Sequence, residues 1–328
     1  MFASDESIFT TVKRWRCGLV LLILILSQVS CNQPFDPHGP FENLPVVFCI
    51  LDGSQDVQFL RLYTTFAAES DPRQVNVEEP IAGANVEVLT PNGAVSFRDT
   101  TLPRADTSVF KSPLQMYIAP FQPLPGGSYA LRILSPLGEA TSAITLPSNA
   151  NLTIQGSFFL QNPSQTPEGS KIFVFTTLSE GAKGYVIRLF VNYDITSGGS
   201  TVNHSTEVPI LIKDKDFSTA LLPTLRRKTV ANGFEVYPVE FYALTLSEIL
   251  KRHPTGQITF RKAAVITLQA EENLYNYFSI VNAFNDRYSI RLDEPEFTNI
   301  IGGRGLFGGF SIDSLIVDLP SNFPYNRP

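Results

Sequence analysis

Between Pro80 and Arg98 apolar and polar residues alternate with a period of two, a pattern that suits a pleated strand and not an α-helix. Ala84, Val86 and Val88 would line one face and Asn85 and Glu87 the other, after a turn set by Pro80 and Gly83. Pro91-Asn92-Gly93 then reads as a hairpin turn leading into Ala94 to Arg98. Similar signals lie on both sides. Strands are expected at Val46 to Leu51 and Val57 to Tyr63, joined by Asp52-Gly53-Ser54. Two more are expected at Ala130 to Leu134 and Ala140 to Leu146, joined by Ser135-Pro136-Leu137-Gly138. Alternation is imperfect where Gln58, Leu60 and Leu62 oppose Phe59, Arg61 and Tyr63, so both faces there are expected to be partly covered.

Pro147 to Asn151 reads as a boundary between apolar runs. Beyond it, strand signals fall at Ile172 to Thr176, Tyr185 to Tyr193, Val202 to Ile212 and Ile258 to Leu268, with Ser197-Gly198-Gly199 as a turn between two of them. A short helix is expected at Leu244 to Leu250, capped by Thr245 or Ser247 and stopped before Pro254. Another is expected at Glu271 to Phe284, where Leu274, Tyr277, Phe278 and Val281 recur at three and four residues behind two glutamates. The fold class is therefore mainly β: a β-sandwich at 43–147 and a second β-rich domain with two short helices at 148–328.

The N-terminal stretch predicts location. Lys13, Arg14 and Arg16 precede the apolar run Cys17 to Leu26, which is about half of what a membrane-spanning helix requires. Ser27-Gln28-Val29-Ser30-Cys31 follows and resembles a bacterial lipoprotein signal, with Gln28 where a leucine is usual. That resemblance implies a signal peptide at 1–30, cleavage before Cys31 and acylation of its sulfur and new amino group. The first partner is then a lipid bilayer, reached through the acylated Cys31. Each buried methylene of an acyl chain contributes about 0.8 kcal/mol, so several chains anchor a protein without a spanning helix. Pro34, Pro37, Gly39 and Pro40 make 31–42 a tether.

Removing residues 1–30 takes away three basic and two acidic side chains and moves the net charge from −6 to −7. No run of Lys or Arg offsets this, so nucleic acid is not an expected partner. Of the three cysteines only Cys49 lies beyond the signal and the acylation position, and its apolar neighbours point to a buried inert thiol. His38, His204 and His253 are far apart in sequence, so no metal site and no cofactor are expected.

Asn299-Ile300-Ile301-Gly302-Gly303-Arg304-Gly305-Leu306-Phe307-Gly308-Gly309-Phe310 is the most distinctive segment. Gly303 to Gly308 fits G-x-G-x-x-G, but a dinucleotide site needs a following helix, and Ser311 to Asp318 reads as strand. The expectation is a glycine-rich turn with positive backbone angles, packing Leu306 and Phe307 against the second domain. Gly302, Gly303, Arg304, Gly305 and Phe307 stand as a candidate interaction or structural loop, with Arg304 as its one charge.

Several features resemble known families. The "P-x-x-G-A-x-V" strand (Pro80 to Val86) and the "P-G-G-S-Y" strand (Pro125 to Tyr129) are similar to the immunoglobulin-like sandwiches of carboxypeptidase regulatory domains, which are usually scaffolds. Together with Cys31, the "N-Y-x-x-I-V-N-A-F-N-D" helix exit (Asn276 to Asp286) and "N-I-x-G-G-x-G-x-F-G" (Asn299 to Gly308), they resemble a large Bacteroidota family of uncharacterised lipoproteins. Such proteins are commonly encoded beside TonB-dependent outer-membrane receptors. The resemblance implies an outer-membrane location and a receptor as partner, and it supplies no catalytic residues.

The expected function is a binding or assembly module accessory to such a receptor. A structural surface component is an alternative, as is an extracytoplasmic hydrolase using carboxylates at Glu240, Glu271-Glu272 or Asp293-Glu294. Adjacent residues on extended chain point apart, however, and Glu271-Glu272 reads better as a helix start. Neither G-x-S-x-G nor H-E-x-x-H occurs, and Asp214-Lys215-Asp216 lacks the remaining positions of a calcium loop.

Overall fold

The alternating stretches become the strands they predict. In the computed structural model, which describes residues 42–65, 80–104, 113–282 and 297–327, β1 (Pro45–Asp52) and β2 (Gln58–Thr64) pair antiparallel. Asp52 Oδ1 holds their turn by accepting from Ser54 N–H at 2.8 Å and Ser54 Oγ at 2.6 Å. Gln58, buried beside it, donates to the carbonyls of Gln55 and Phe121 and accepts from the Asp52 N–H, so the buried amide is satisfied.

β3 (Asn85–Thr90) and β4 (Gly93–Leu102) form the hairpin expected at Pro91-Asn92-Gly93. β4 then changes partner: Gly93 to Phe97 pair with β3, and Arg98 to Leu102 pair with β5 (Leu114–Ala119). β6 (Ser128–Ser135) and β7 (Gly138–Thr145) follow as a second hairpin. The two faces thus formed enclose a sandwich core, with Val47, Cys49, Leu51, Leu60 and Leu62 on one side and Val86, Val88, Leu131 and Ile133 on the other. Each such side chain contributes about 1.5–3 kcal/mol on full burial.

After the expected boundary at 147/148 come β8 (Asn151–Gln155), a five-residue α1 (Ser157–Gln161), and β9 (Lys171–Thr177). β10 (Gly184–Ser197), β11 (Ser200–Glu207), β12 (Arg226–Arg227), β13 (Asn232–Pro238), α2 (Val239–Arg252), β14 (Gln257–Ala270), α3 (Glu272–Asn282) and β15 (Arg304–Asp318) complete the order. β8, β9 and β13 make a separate three-stranded sheet, and the long β10 and β14 pair with each other in the large one. α2 packs Tyr242, Leu246 and Ile249 into the core between them.

Three local expectations are corrected. α2 starts at Val239, ahead of the expected Leu244: the chain leaves the extended Pro238 (φ −57°, ψ 130°) straight into the helix, whose added first turn buries Val239, Phe241 and Tyr242. Thr245 and Ser247 are not caps; their hydroxyls donate to the carbonyls of Phe241 (2.7 Å) and Ala243 (3.0 Å) within the helix. The strand expected at Val202 to Ile212 ends at Glu207, where the chain turns inward and buries Val208.

β15 crosses the whole arrangement. Its first part runs parallel to β1, from Val46↔Arg304 to Asp52↔Phe310, and its second antiparallel to β14, from Ala270↔Phe310 to Lys262↔Asp318. A twelve-stranded sheet results, ordered β11-β10-β14-β15-β1-β2-β5-β4-β3-β6-β7, with β12 paired to β10. Among the described residues no helix is long and apolar enough to cross a membrane. The expected signal, Cys31 and nearly all of the expected tether lie outside the described residues.

Candidate functional site

The glycine-rich segment turns only at Gly302 and Gly303 and is strand from Arg304 onward, which confines the expected turn to its first two glycines. Positive φ values do occur, 76° at Gly302 and 107° at Gly305, but the glycines also answer to neighbouring chain. A methyl group on Gly305 would overlap the carbonyl oxygen of Val47, its register partner in β1, and one on Gly309 would overlap Leu146. Phe307 is fully buried in the first core, not against the second domain, whereas Leu306 packs with Ala270 and Leu274 under α3. Alternation along a strand sends the two neighbours to opposite faces.

Asn299 holds this strand in place. Its side-chain amide donates to the Phe307 carbonyl at 2.6 Å, and its Oδ1 accepts from the Phe307 N–H at 2.9 Å, imitating a neighbouring strand. Ser142 Oγ donates to the Asn299 carbonyl at 2.8 Å, and Ile301 exchanges two backbone hydrogen bonds with Thr141 of β7, at 2.8 and 2.9 Å. Gly302, Gly303 and Arg304 therefore pass between β7 and β1, and the whole candidate loop lies at a seam of the sheet.

The candidate acids are distributed as follows. Glu271 is buried at the start of α3, where its two oxygens accept from the N–H groups of Asn273 and Leu274, each at 2.7 Å. Burial pushes its carboxyl pKa up, and these hydrogen bonds oppose the shift. Glu272 pairs with Lys183 at 3.3 Å on the surface, so the adjacent pair is divided between a cap and an ion pair. Glu240 sits in the first turn of α2, while the neighbouring Tyr242 is buried and donates to the Leu160 carbonyl at 3.1 Å. Asp293 and Glu294 lie outside the described residues. Asp214 and Lys215 occupy a tight turn with φ 52° and 57°, and Asp216 accepts from Ser218 N–H and Oγ. Burial pushes the Cys49 thiol up to about 12.

Folding also joins residues that the sequence separates. His204 stands opposite Tyr193 across β10 and β11, and His253 ends α2 above them; the two imidazole centroids are 6.0 Å apart. Among the described residues no group of three His, Cys, Asp or Glu side chains is placed to hold a metal ion.

A groove runs over the outer surface of β3, β6 and β7. One part of about 930 Å³ is bounded by Leu89, Leu124, Ala130, Ala143 and the α3 start at Glu271 to Asn273. A second of about 660 Å³ shares Leu89, Ala130, Ala143 and Asn273 and extends to Ile301. Leu89 (57% exposed) and Ile301 (75% exposed) leave apolar surface open to solvent at its two sides. The Arg132–Glu139 ion pair, 2.7 Å, stands on the same β6–β7 hairpin. Small apolar side chains on a rigid sheet, next to a helix start, can receive a ligand by shape and apolar contact.

In sequence comparisons, residues 32–316 match the model of a family described as a domain of unknown function, DUF4249. No curated protein matches the chain.

Proposed function

The chain belongs to the DUF4249 family, and from that premise we propose that it is a lipid-anchored cell-envelope binding protein, accessory to a TonB-dependent outer-membrane receptor in nutrient uptake. The observation that carries this reading is the open groove over β3, β6 and β7, with Leu89 and Ile301 leaving apolar surface exposed at its sides. The buried carboxylate at its wall, Glu271, is occupied in capping α3. Two further features support the anchor: the basic and apolar stretch before Cys31, and a family match that begins at residue 32, directly after it.

The test is mild crosslinking in cells followed by purification of the tagged protein and mass spectrometry of its company. Recovery of one outer-membrane receptor in near-stoichiometric amount is the expected result. A folded, membrane-bound protein that brings no receptor with it would overturn the accessory role.

A further inference from the structure

The three-stranded sheet turns one face to the second core and the other to solvent. Along β9, Ile172, Val174 and Thr176 point inward, while Lys171, Phe173, Phe175 and Thr177 point outward. The register builds the outer face row by row. Phe175 lies between Phe234 of β13 and Thr153 of β8, Phe173 lies between Val236 and Gln155, and Thr177 lies between Asn232 and Asn151. Phe173 is 37% exposed, Phe175 39% and Phe234 58%, and Phe158, just beyond β8 in α1, is 63% exposed. The rings of Phe173 and Phe175 are nearly parallel, 12° apart, with centroids 6.4 Å from each other.

Single exposed apolar side chains are ordinary, but three phenylalanines grouped on one face of a small sheet form a patch that calls for an occupant. The chemistry around them narrows the choice. Asn151, Thr153, Gln155, Thr177 and Asn232 supply amides and hydroxyls, able to donate and accept, and Lys171 is the one charged residue among these outward positions. On a chain of net charge −6 this is a neutral area. It offers a polyanion one cation and a polycation no carboxylate. A neutral glycan suits both parts, because the C–H faces of its sugar rings can stack on phenyl faces while its hydroxyls pair with the amide and hydroxyl rim.

We propose that the outer face of β8, β9 and β13 binds a neutral polysaccharide, with Phe173, Phe175 and Phe234 as the stacking residues. This rests on the reading of the protein as a binding module and names the class of its cargo. Two hydrogen-bonded strands, β9 and β13, present the rings and β8 adds polar groups beside them, so the platform exists before the ligand arrives.

The test is affinity electrophoresis of the purified full-length protein in detergent, in native gels containing starch, mixed-linkage β-glucan, xylan or mannan, with polygalacturonate as an anionic comparison. At least one neutral polymer is expected to retard the protein and polygalacturonate is not. Phe175→Ala and Phe234→Ala should each weaken that retardation about tenfold, the scale of one lost aromatic contact, while Phe175→Tyr should preserve it. Both positions face solvent, and far-UV circular dichroism should show the variants folded. No retardation by any neutral polymer would overturn the proposal, and so would retardation that both alanine variants leave unchanged. Absence of retardation together with self-association that the alanine variants abolish would assign the face to a second copy instead. Failure here would leave the receptor partnership standing, since co-purification from cells tests that separately.

Discussion

Replacing Gly305 with alanine separates two reasons for glycine in the β1–β15 seam. Its φ of 107° is strained for any L-residue, and the added methyl would also overlap the Val47 carbonyl oxygen and come within 2.9 Å of the Val47 carbonyl carbon. Those atoms are backbone of the paired strand, so no rotamer change relieves the contact, and the ladder must open. Gly93 provides the control, because its φ of 121° is similarly strained but a methyl there meets nothing within 4 Å. Backbone strain alone costs about 1–3 kcal/mol, which is the expectation for Gly93→Ala. Gly305→Ala adds the displacement of β15 beside the fully buried Val47 and Phe307 and should cost about 4 kcal/mol or more. That is a large part of the roughly 5–15 kcal/mol typical of a folded domain. Urea unfolding followed by far-UV circular dichroism measures both, since the one tryptophan, Trp15, lies in the N-terminal stretch that the proposed signal cleavage would remove. Losses within about 1 kcal/mol of each other would refute the close-approach argument.

Asn299→Ala removes both hydrogen bonds to Phe307 backbone and should lower stability by about 2 kcal/mol in the same assay, leaving two buried backbone groups without that partner. The pH response should contain two opposed contributions. Asp194, hydrogen-bonded to Arg261 at 2.6 Å, has a lowered pKa, so its contribution is present above the unfolded carboxylate value of about 3.9 and is lost as pH falls through the folded pKa. Glu271 has a raised pKa, so folding favours its protonated form, and stability falls as pH rises from about 4.3 through the folded value. Unfolding midpoints of Asp194→Asn should therefore show a weaker acid-side dependence, with Asp216 keeping its own share, and those of Glu271→Gln a weaker opposite slope, with Glu207 and Asp313 keeping theirs. Cys49, fully buried with its thiol raised to about 12, should resist alkylation at pH 8 until urea unfolds the chain.

Strands in the first half were legible because alternation and turn residues are local signals, as Val86, Val88 and Pro91-Asn92-Gly93 show. Most of the glycine-rich segment was misread for the opposite reason. Its glycines answer to Val47 and Leu146, remote in sequence, and a run of glycine with positive φ looks the same whether it turns or packs against another strand. Non-local pairing likewise brings Tyr193 and His204 face to face and sets His253 over them. Thr245 and Ser247 mark a limit of cap signatures, because a hydroxyl bonded to its own helix has the same one-letter code as one bonded to a free N–H. The outer face of β9 was concealed by composition. Ile172 to Phe175 is apolar at every position, so periodicity could not tell which residues faced solvent; only the register with β8 and β13 does.

Lipid anchoring at Cys31 underlies both the location and the partnership proposed for this protein, and partition of the chain between membrane and soluble fractions tests it most directly. Wild-type protein should sediment with membranes and carry acyl mass on a chain beginning at Cys31, and Cys31→Ala should appear in the soluble fraction without that mass. A Cys31→Ala protein that stays bound to membranes, or a wild-type chain whose mature mass includes no lipid, would contradict the account.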